Sequence, residues 1–256
     1  MGEDSAKREA EVAALRLGLE LGMSLIDTAE MYGEGGAEEV VGKAIAGRRD
    51  DVFLVSKVYP HNATSQGAVA ACERSLQRLN TDYLDLYLLH WRGSVPLADT
   101  FAALEALKGS GKIRDFGVSN FDVEDMEEAF ALPGGRQVAT NQVLYNLMHR
   151  GIEWDLLPWC RKHKIPVMAY SPIEQGAMAN HPELKRIASK HHATPAQVAL
   201  AWLLGQDDIV AIPKASNRVH VRENYGALDV VLTSQDRADL DRAFPPPRRK
   251  VTLEMR

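Results

Sequence analysis

The chain has 256 residues, 45% of them hydrophobic and 25% charged, which is the composition of a globular protein rather than a disordered or fibrous one. Its formal charge of −5 argues against a nucleic-acid footprint, and the basic cluster Arg248-Arg249-Lys250 is short and isolated. No run approaches the roughly 18 apolar residues of a membrane helix, and the two cysteines, Cys72 and Cys160, build neither a disulfide framework nor a metal motif, so a cytoplasmic protein is expected.

Taken in chain order, a polar start, Met1-Gly2-Glu3-Asp4, leads into an amphipathic helix over 6–21. Apolar, β-branched runs then predict strands over 24–27, 52–57, 83–90, 113–119, 138–142, 166–170 and 209–212. Their nearly continuous apolar character suits a parallel sheet covered on both faces. Between them, 65–79 and 97–108 repeat apolar residues at helical spacing. Asp122-Val123-Glu124-Asp125 opens a helix to Phe130. Thr194-Pro195-Ala196-Gln197 combines a capping threonine, a first-turn proline and a capping-box glutamine, and Gly205 stops the helix it opens. Thr233 opens a last helix to Phe244, which Pro245-Pro246-Pro247 ends.

Strand-helix units recur about every thirty residues, and no linker divides residues 1–256, so one domain is expected. Such units build a (β/α) barrel or a doubly wound sheet. The barrel is favoured because chemically capable residues end many strands rather than clustering at one switch point. A closed barrel of this type needs eight strands; seven are legible.

Asp27 closes the first strand, Tyr32 follows it, Lys57 closes the second and His90 the third. Reducing a carbonyl takes a hydride on carbon and a proton on oxygen. A free phenol, with a pKa near 10, is a weak acid at neutral pH, and an adjacent ammonium such as Lys57 stabilises the phenolate that Tyr32 leaves behind. Asp27 can hold that ammonium, and His90 can orient a carbonyl oxygen. Singly, each of these residues reads more readily as a cap, a surface group or a core residue than as a catalytic one. Their succession is what points to chemistry.

With Asp27-Thr28-Ala29-x-x-Tyr32, Ser56-Lys57 and Leu88-Leu89-His90-Trp91, the chain resembles the aldo-keto reductases. The resemblance continues through Gly117-Val118-Ser119-Asn120-Phe121, Asn141-Gln142-Val143, Ala169-Tyr170-Ser171-Pro172, Ile212-Pro213-Lys214-Ala215-Ser216 and Glu223-Asn224. It implies a (β/α)8 barrel of the TIM type that binds NADPH without a Rossmann domain. It gives Tyr32 as general acid, completed by Asp27, Lys57 and His90. It gives Ser119, Asn120 and Gln142 to the nicotinamide carboxamide, Tyr170 to the nicotinamide ring, and Ser171, Ile173 and Gln175 to the pyrophosphate. Lys214 and Ser216 would meet the 2′-phosphate, and Glu223 and Asn224 the adenine. Met31, Tyr59 and Trp91 fall where relatives line the substrate pocket, a position equally consistent with core packing. The short loops after His90 and after Phe244 suit small aldehydes or dicarbonyls.

Departures from the family pattern carry their own expectations. The family's N-terminal hairpin and first barrel strand have no counterpart here, so two strand edges are expected unpaired, and stability and activity are expected below those of a longer relative. His220 stands where NADPH-preferring members carry arginine, and Ala215 replaces a frequent serine, so NADH is a possible second cofactor. Gly33-Glu34-Gly35-Gly36 before a helix faintly resembles a dinucleotide-binding turn, but Glu38 occupies the third glycine position, where its charge would oppose a pyrophosphate. His191-His192 read as solvated helix-end residues, and no metal is expected. The expected partner is a small carbonyl compound, with no nucleic acid or membrane, in a monomer or weak oligomer. A cofactor-binding barrel without turnover, serving as a redox-sensing or scaffolding subunit, is the alternative.

Overall fold

The computed structural model describes residues 1–256 apart from the side chain of Gln175. In chain order it contains α1 (Arg8–Glu20), β1 (Leu25–Asp27), α2 (Gly36–Ile45), β2 (Phe53–Val58), α3 (Ser65–Leu79), β3 (Leu84–Leu89), α4 (Leu97–Gly109), β4 (Ile113–Ser119) and α5 (Val123–Ala131). There follow β5 (Asn141–Leu144), α6 (Leu156–His163), β6 (Val167–Tyr170), α7 (Pro182–Lys190), α8 (Pro195–Leu204), β7 (Ile209–Ala211), α9 (Arg218–Gly226) and α10 (Ser234–Ala243). Among the described residues there are therefore seven strands, each overlapping one expected from sequence. By contacts the chain forms two compact units, Met1–Asn141 with Ser216–Arg218, and Gln142–Ala215 with Val219–Arg256.

In the first unit β1 to β4 run parallel and in sequence order, with Asp27 level with Val55, Lys57 with Leu88, and Leu88 with Gly117. This register brings the ends of β1, β2 and β3 to one edge of the sheet. The strands are apolar on both faces because both are covered: Leu54, Val55, Val58, Leu84, Leu88 and Phe116 are fully buried. The helices on this sheet start where capping chemistry places them. Thr64 accepts from the Gly67 amide to open α3, and Asp122 and Asp125 form a reciprocal capping box at α5.

The glycine-rich turn after Tyr32 is a packing device. A Cβ on Gly36 would lie 2.4 Å from the carbonyl oxygen of Gly2, and Gly2 itself sits at φ +79°, where only glycine is unstrained. The first residues of the chain thus lie directly on that turn, and the Gly2 amide donates to Glu11. Glu38 is fully buried: its carboxylate accepts from Ser56 Oγ at 2.6 Å and from Arg78 Nε at 2.6 Å.

In the second unit β6 pairs in parallel with β7, Val167 level with Ile209. α8 carries the expected capping box, with Thr194 and Gln197 bonded reciprocally. Its residues from Val198 to Leu203 are all buried, so this helix is core on nearly every face. One expectation fails here. His191 is not a solvated helix-end residue; its Nε2 lies 2.9 Å from Asp236 Oδ2, and it joins the capping box that opens α10. His192 is exposed.

Strand 138–142 is observed later, as β5, because the upstream residues leave the regular ladder. The Ala139 amide still donates to Phe116 and Val118 to Thr140, so the segment is extended and paired before β5 proper begins.

Candidate active site

The centre of the site is the ammonium of Lys57. Its side chain is fully buried, and Nζ donates to Asp27 Oδ2 at 2.6 Å, to the backbone carbonyl of Thr28 at 2.9 Å and to the Tyr32 hydroxyl at 3.3 Å. An ammonium has three N–H groups, and here each has an acceptor. Burial on its own pulls this ammonium down, yet the Asp27 carboxylate and the Tyr32 hydroxyl outweigh it and hold the Lys57 pKa above its ordinary 10.5. Lys57 therefore stays charged, held in a tripod that includes the phenol.

The His90 ring stands edge-on to the Tyr32 ring at 5.6 Å between centroids. Its backbone N–H donates to Val58, continuing the β2–β3 ladder one residue past the strand. Burial, followed by the nearby Lys57 charge, lowers the His90 pKa from 6.5 to about 3. The imidazole is neutral across the ordinary pH range, and Nδ1 has no hydrogen-bond partner among the described residues. A neutral ring can donate one hydrogen bond to a carbonyl oxygen but is not a cationic acid.

Ser119 ends β4 and Asn120 follows it beside this group. Asn120 Nδ2 donates to the His90 carbonyl at 3.1 Å and to Ser119 Oγ at 3.2 Å. Asn120 sits at φ +59°, a left-handed conformation that asparagine tolerates better than most residues. Of the expected pocket residues, Tyr59 and Trp91 are half-buried and meet edge-on at 5.8 Å, and Met31 is exposed. Ser216, also of this unit, is exposed.

The second unit carries the remaining expected residues. Gln142 is buried, with Nε2 4.0 Å from the Met168 sulfur. Tyr170 is half-buried, and its hydroxyl accepts from the Arg256 amide at 3.2 Å. Ser171 and Glu174 both have positive φ, at +49° and +50°, and a buried polar cluster secures them. Asn146 Nδ2 donates to the Ser171 carbonyl at 2.9 Å and to Glu174 Oε2 at 2.8 Å, His149 Nε2 lies 3.3 Å from the same oxygen, and Arg256 pairs with the other. Ile173 is half-buried between them, and the side chain of Gln175 lies outside what is described. Lys214 is exposed on the segment after β7. His220, Glu223 and Asn224 recur at three- and four-residue spacing on α9, hence on one face; His220 is exposed and Asn224 buried.

Several contributors escaped sequence reasoning. The Thr28 carbonyl is a backbone group and leaves no side-chain signal. Asn146, Glu174 and Arg256 lie up to 110 residues apart and share no motif. Glu30, between Asp27 and Tyr32, offered a signal as a carboxylate inside the motif, but without a partner in the sequence it carried no role.

Parallel strand-helix units thus bring an aspartate, a tyrosine, a lysine and a histidine together past the ends of β1, β2 and β3. The chain belongs to the Aldo/keto reductase family, whose model matches residues 1–244. It is 56% identical over 260 residues to the methylglyoxal reductase YeaE of Escherichia coli (strain K12), covering 100% of this chain and 92% of that protein. It is 33% identical over 245 residues to the methylglyoxal reductase DkgB of Escherichia coli O157:H7, covering 93% of this chain and 89% of that one. Among solved structures, an aldo/keto reductase from Klebsiella pneumoniae in complex with NADP and acetate superposes with a TM-score of 0.98 at 53% identity, covering 100% of this chain and 92% of that chain. The fold is accordingly the TIM-type (β/α)8 barrel of the family, and the chain is an aldo-keto reductase.

Proposed function

We propose that this chain reduces small aldehydes and ketones, methylglyoxal-like dicarbonyls among them, to alcohols with NADPH. The observation that carries this reading is the saturated Lys57 ammonium, whose third hydrogen bond ends on the Tyr32 hydroxyl. When bound, NADPH supplies the hydride. Tyr32 gives its proton to the carbonyl oxygen. Lys57 stabilises the phenolate charge that develops as the proton leaves, and Asp27 keeps Lys57 charged and aimed. His90, neutral, donates a hydrogen bond that orients the carbonyl oxygen. Because these dipoles and charges are already fixed, little reorganisation is needed as the oxygen takes up charge.

The donor set fits the cofactor. Ser119, Asn120 and Gln142 are hydrogen-bonding side chains of the kind an amide requires, and Tyr170 offers a half-buried ring for a flat heterocycle. Ser171 and Ile173, with Gln175 beside them in sequence, form the segment assigned to the pyrophosphate. Lys214, Ser216 and His220 are exposed donors for the 2′-phosphate, and Glu223 and Asn224 are assigned to the adenine. Met31, Tyr59 and Trp91 line the substrate side. The partner is a free small molecule, and the protein acts in the cytoplasm as a monomer or weak oligomer. Names of relatives support the substrate class: YeaE and DkgB are methylglyoxal reductases.

The reading without turnover is weaker, because a purely structural role for Lys57 gives no reason to spend one of its bonds on a phenol beside a neutral histidine. The experiment is NADPH consumption by the purified chain with methylglyoxal and a panel of small aldehydes. Saturable consumption is expected; NADPH binding with no consumption across the panel contradicts the proposal.

A further inference from the structure

Glu30 is the buried carboxylate to which neither the family resemblance nor the mechanism above gives a role. Its side chain is 6% exposed. Oε1 accepts from the backbone N–H of Tyr59 at 2.8 Å and from Asn62 Nδ2 at 3.0 Å, and Oε2 lies 3.7 Å from Arg74 Nη2. Its own N–H donates to the Lys57 carbonyl at 3.4 Å. One residue thus ties the loop that carries Tyr32 to the segment that leaves β2.

The tie reaches the aromatic rings. Tyr59 is the first residue past β2, and its ring stands edge-on to Trp91 and lies 4.7 Å from the His61 ring. Trp91 follows His90, 4.9 Å away between ring centroids. Tyr59 and Trp91 come from the ends of two different strands, and the bond from Glu30 fixes the backbone of Tyr59 against the loop that carries Tyr32. Without Glu30, the half-buried Tyr59 amide and Asn62 side chain would both lose their acceptor, and the segment would have to shift to satisfy them with water.

We propose that Glu30 is a positioning residue that holds the Tyr59–Trp91 aromatic wall at a set distance from Tyr32 and thereby sets how tightly a small carbonyl substrate is bound. This rests on Tyr32 being the proton donor. Glu30 touches no reacting atom, so its effect falls on substrate binding more than on the chemical step.

The test compares Glu30→Ala, Glu30→Gln and Glu30→Asp with the parent chain. Alanine removes the acceptor, and KM for methylglyoxal is expected to rise about tenfold with kcat changed less than about threefold and NADPH affinity, read by fluorescence quenching, unaltered. Glutamine keeps an acceptor oxygen for Tyr59 and Asn62, so KM returns to within about twofold of the parent. Aspartate keeps the charge but draws the acceptor back by one methylene, and KM rises about threefold. An unchanged KM in the alanine variant, or a glutamine variant as impaired as alanine, overturns the proposal. If alanine prevents folding, the aspartate variant decides, and an unchanged KM there overturns it equally. If the parent chain itself turns over no carbonyl, the function proposed above has failed on its own account, and Trp91 emission, isolated against Trp91→Phe, decides the positioning claim. That emission is expected to shift in Glu30→Ala and return in Glu30→Gln; no shift contradicts it.

Discussion

Lys57 Nζ and Asp27 Oδ2 lie 2.6 Å apart, with the lysine wholly buried and the aspartate nearly so. Removing either partner leaves the other as a buried charge without its counter-ion, which costs about 3–5 kcal/mol. Asp27→Asn is therefore expected to lower both the melting temperature and the fraction of Lys57 that is charged, and to reduce turnover by about two orders of magnitude. Thermal melts and steady-state kinetics on the same preparation check it. Because the lysine pKa is raised, the stability from this pair is fully present below the ordinary lysine pKa of 10.5 and lost only as pH climbs through the raised value. No loss from this source is expected near neutrality.

His90 gives the opposite pH dependence. Its folded pKa is lowered to about 3 from 6.5, so the unfolded chain binds one more proton between those values. The stability this contributes is present above pH 6.5 and is lost as pH falls towards 3, with a slope of about 1.4 kcal/mol per pH unit. A His90→Asn variant is expected to show a flatter decline of melting temperature between pH 6 and 4, roughly the window set by that shift. In the parent chain the His90 ring resonances should not titrate between about pH 5 and 8.

Asn120 combines a left-handed backbone with two side-chain hydrogen bonds, one to His90 and one to Ser119. Alanine loses the bonds and strains the backbone, and is expected to destabilise the chain by about 2 kcal/mol. Glycine loses the bonds but relieves the strain, and should cost about 1 kcal/mol less than alanine. Both variants should bind NADPH more weakly. Denaturant melts that rank alanine and glycine equally would contradict the conformational argument.

His220 is an exposed imidazole on the α9 face assigned to the 2′-phosphate. Replacing it with arginine substitutes a permanent, forked cation for an imidazole. His220→Arg is expected to lower KM for NADPH several-fold and leave KM for NADH within about twofold. Paired KM values for the two cofactors check this.

Much of this could be read from the chain itself, for identifiable reasons. Asp27, Lys57 and His90 were legible because an ionisable residue at the end of a buried apolar strand is conspicuous. The helices α8 and α10 were legible because Thr194 and Thr233 are explicit caps, and α3 because its apolar residues recur at helical spacing; its Thr64 cap emerged only from the structure. Three helices were not. α6 carries Pro158 within its first turn, α7 opens on Pro182 without a side-chain cap, and α9 begins with valines at alternate positions, a pattern that also suits a strand. The turn at Gly33 to Gly36 pointed to phosphate binding only in outline; its physical reason, the close approach of Gly2, depends on contact between segments more than thirty residues apart. Likewise the tripod around Lys57 needed the Thr28 carbonyl, which no side-chain pattern reports.

The account turns on Tyr32 as the proton donor, and Tyr32→Phe tests it most directly. The substitution removes one oxygen and leaves the ring that His90 faces. NADPH-dependent reduction of methylglyoxal should fall by about three orders of magnitude or more, while NADPH still binds with unchanged affinity. Reduction at the parent rate by Tyr32→Phe, with NADPH bound normally, would contradict the mechanism.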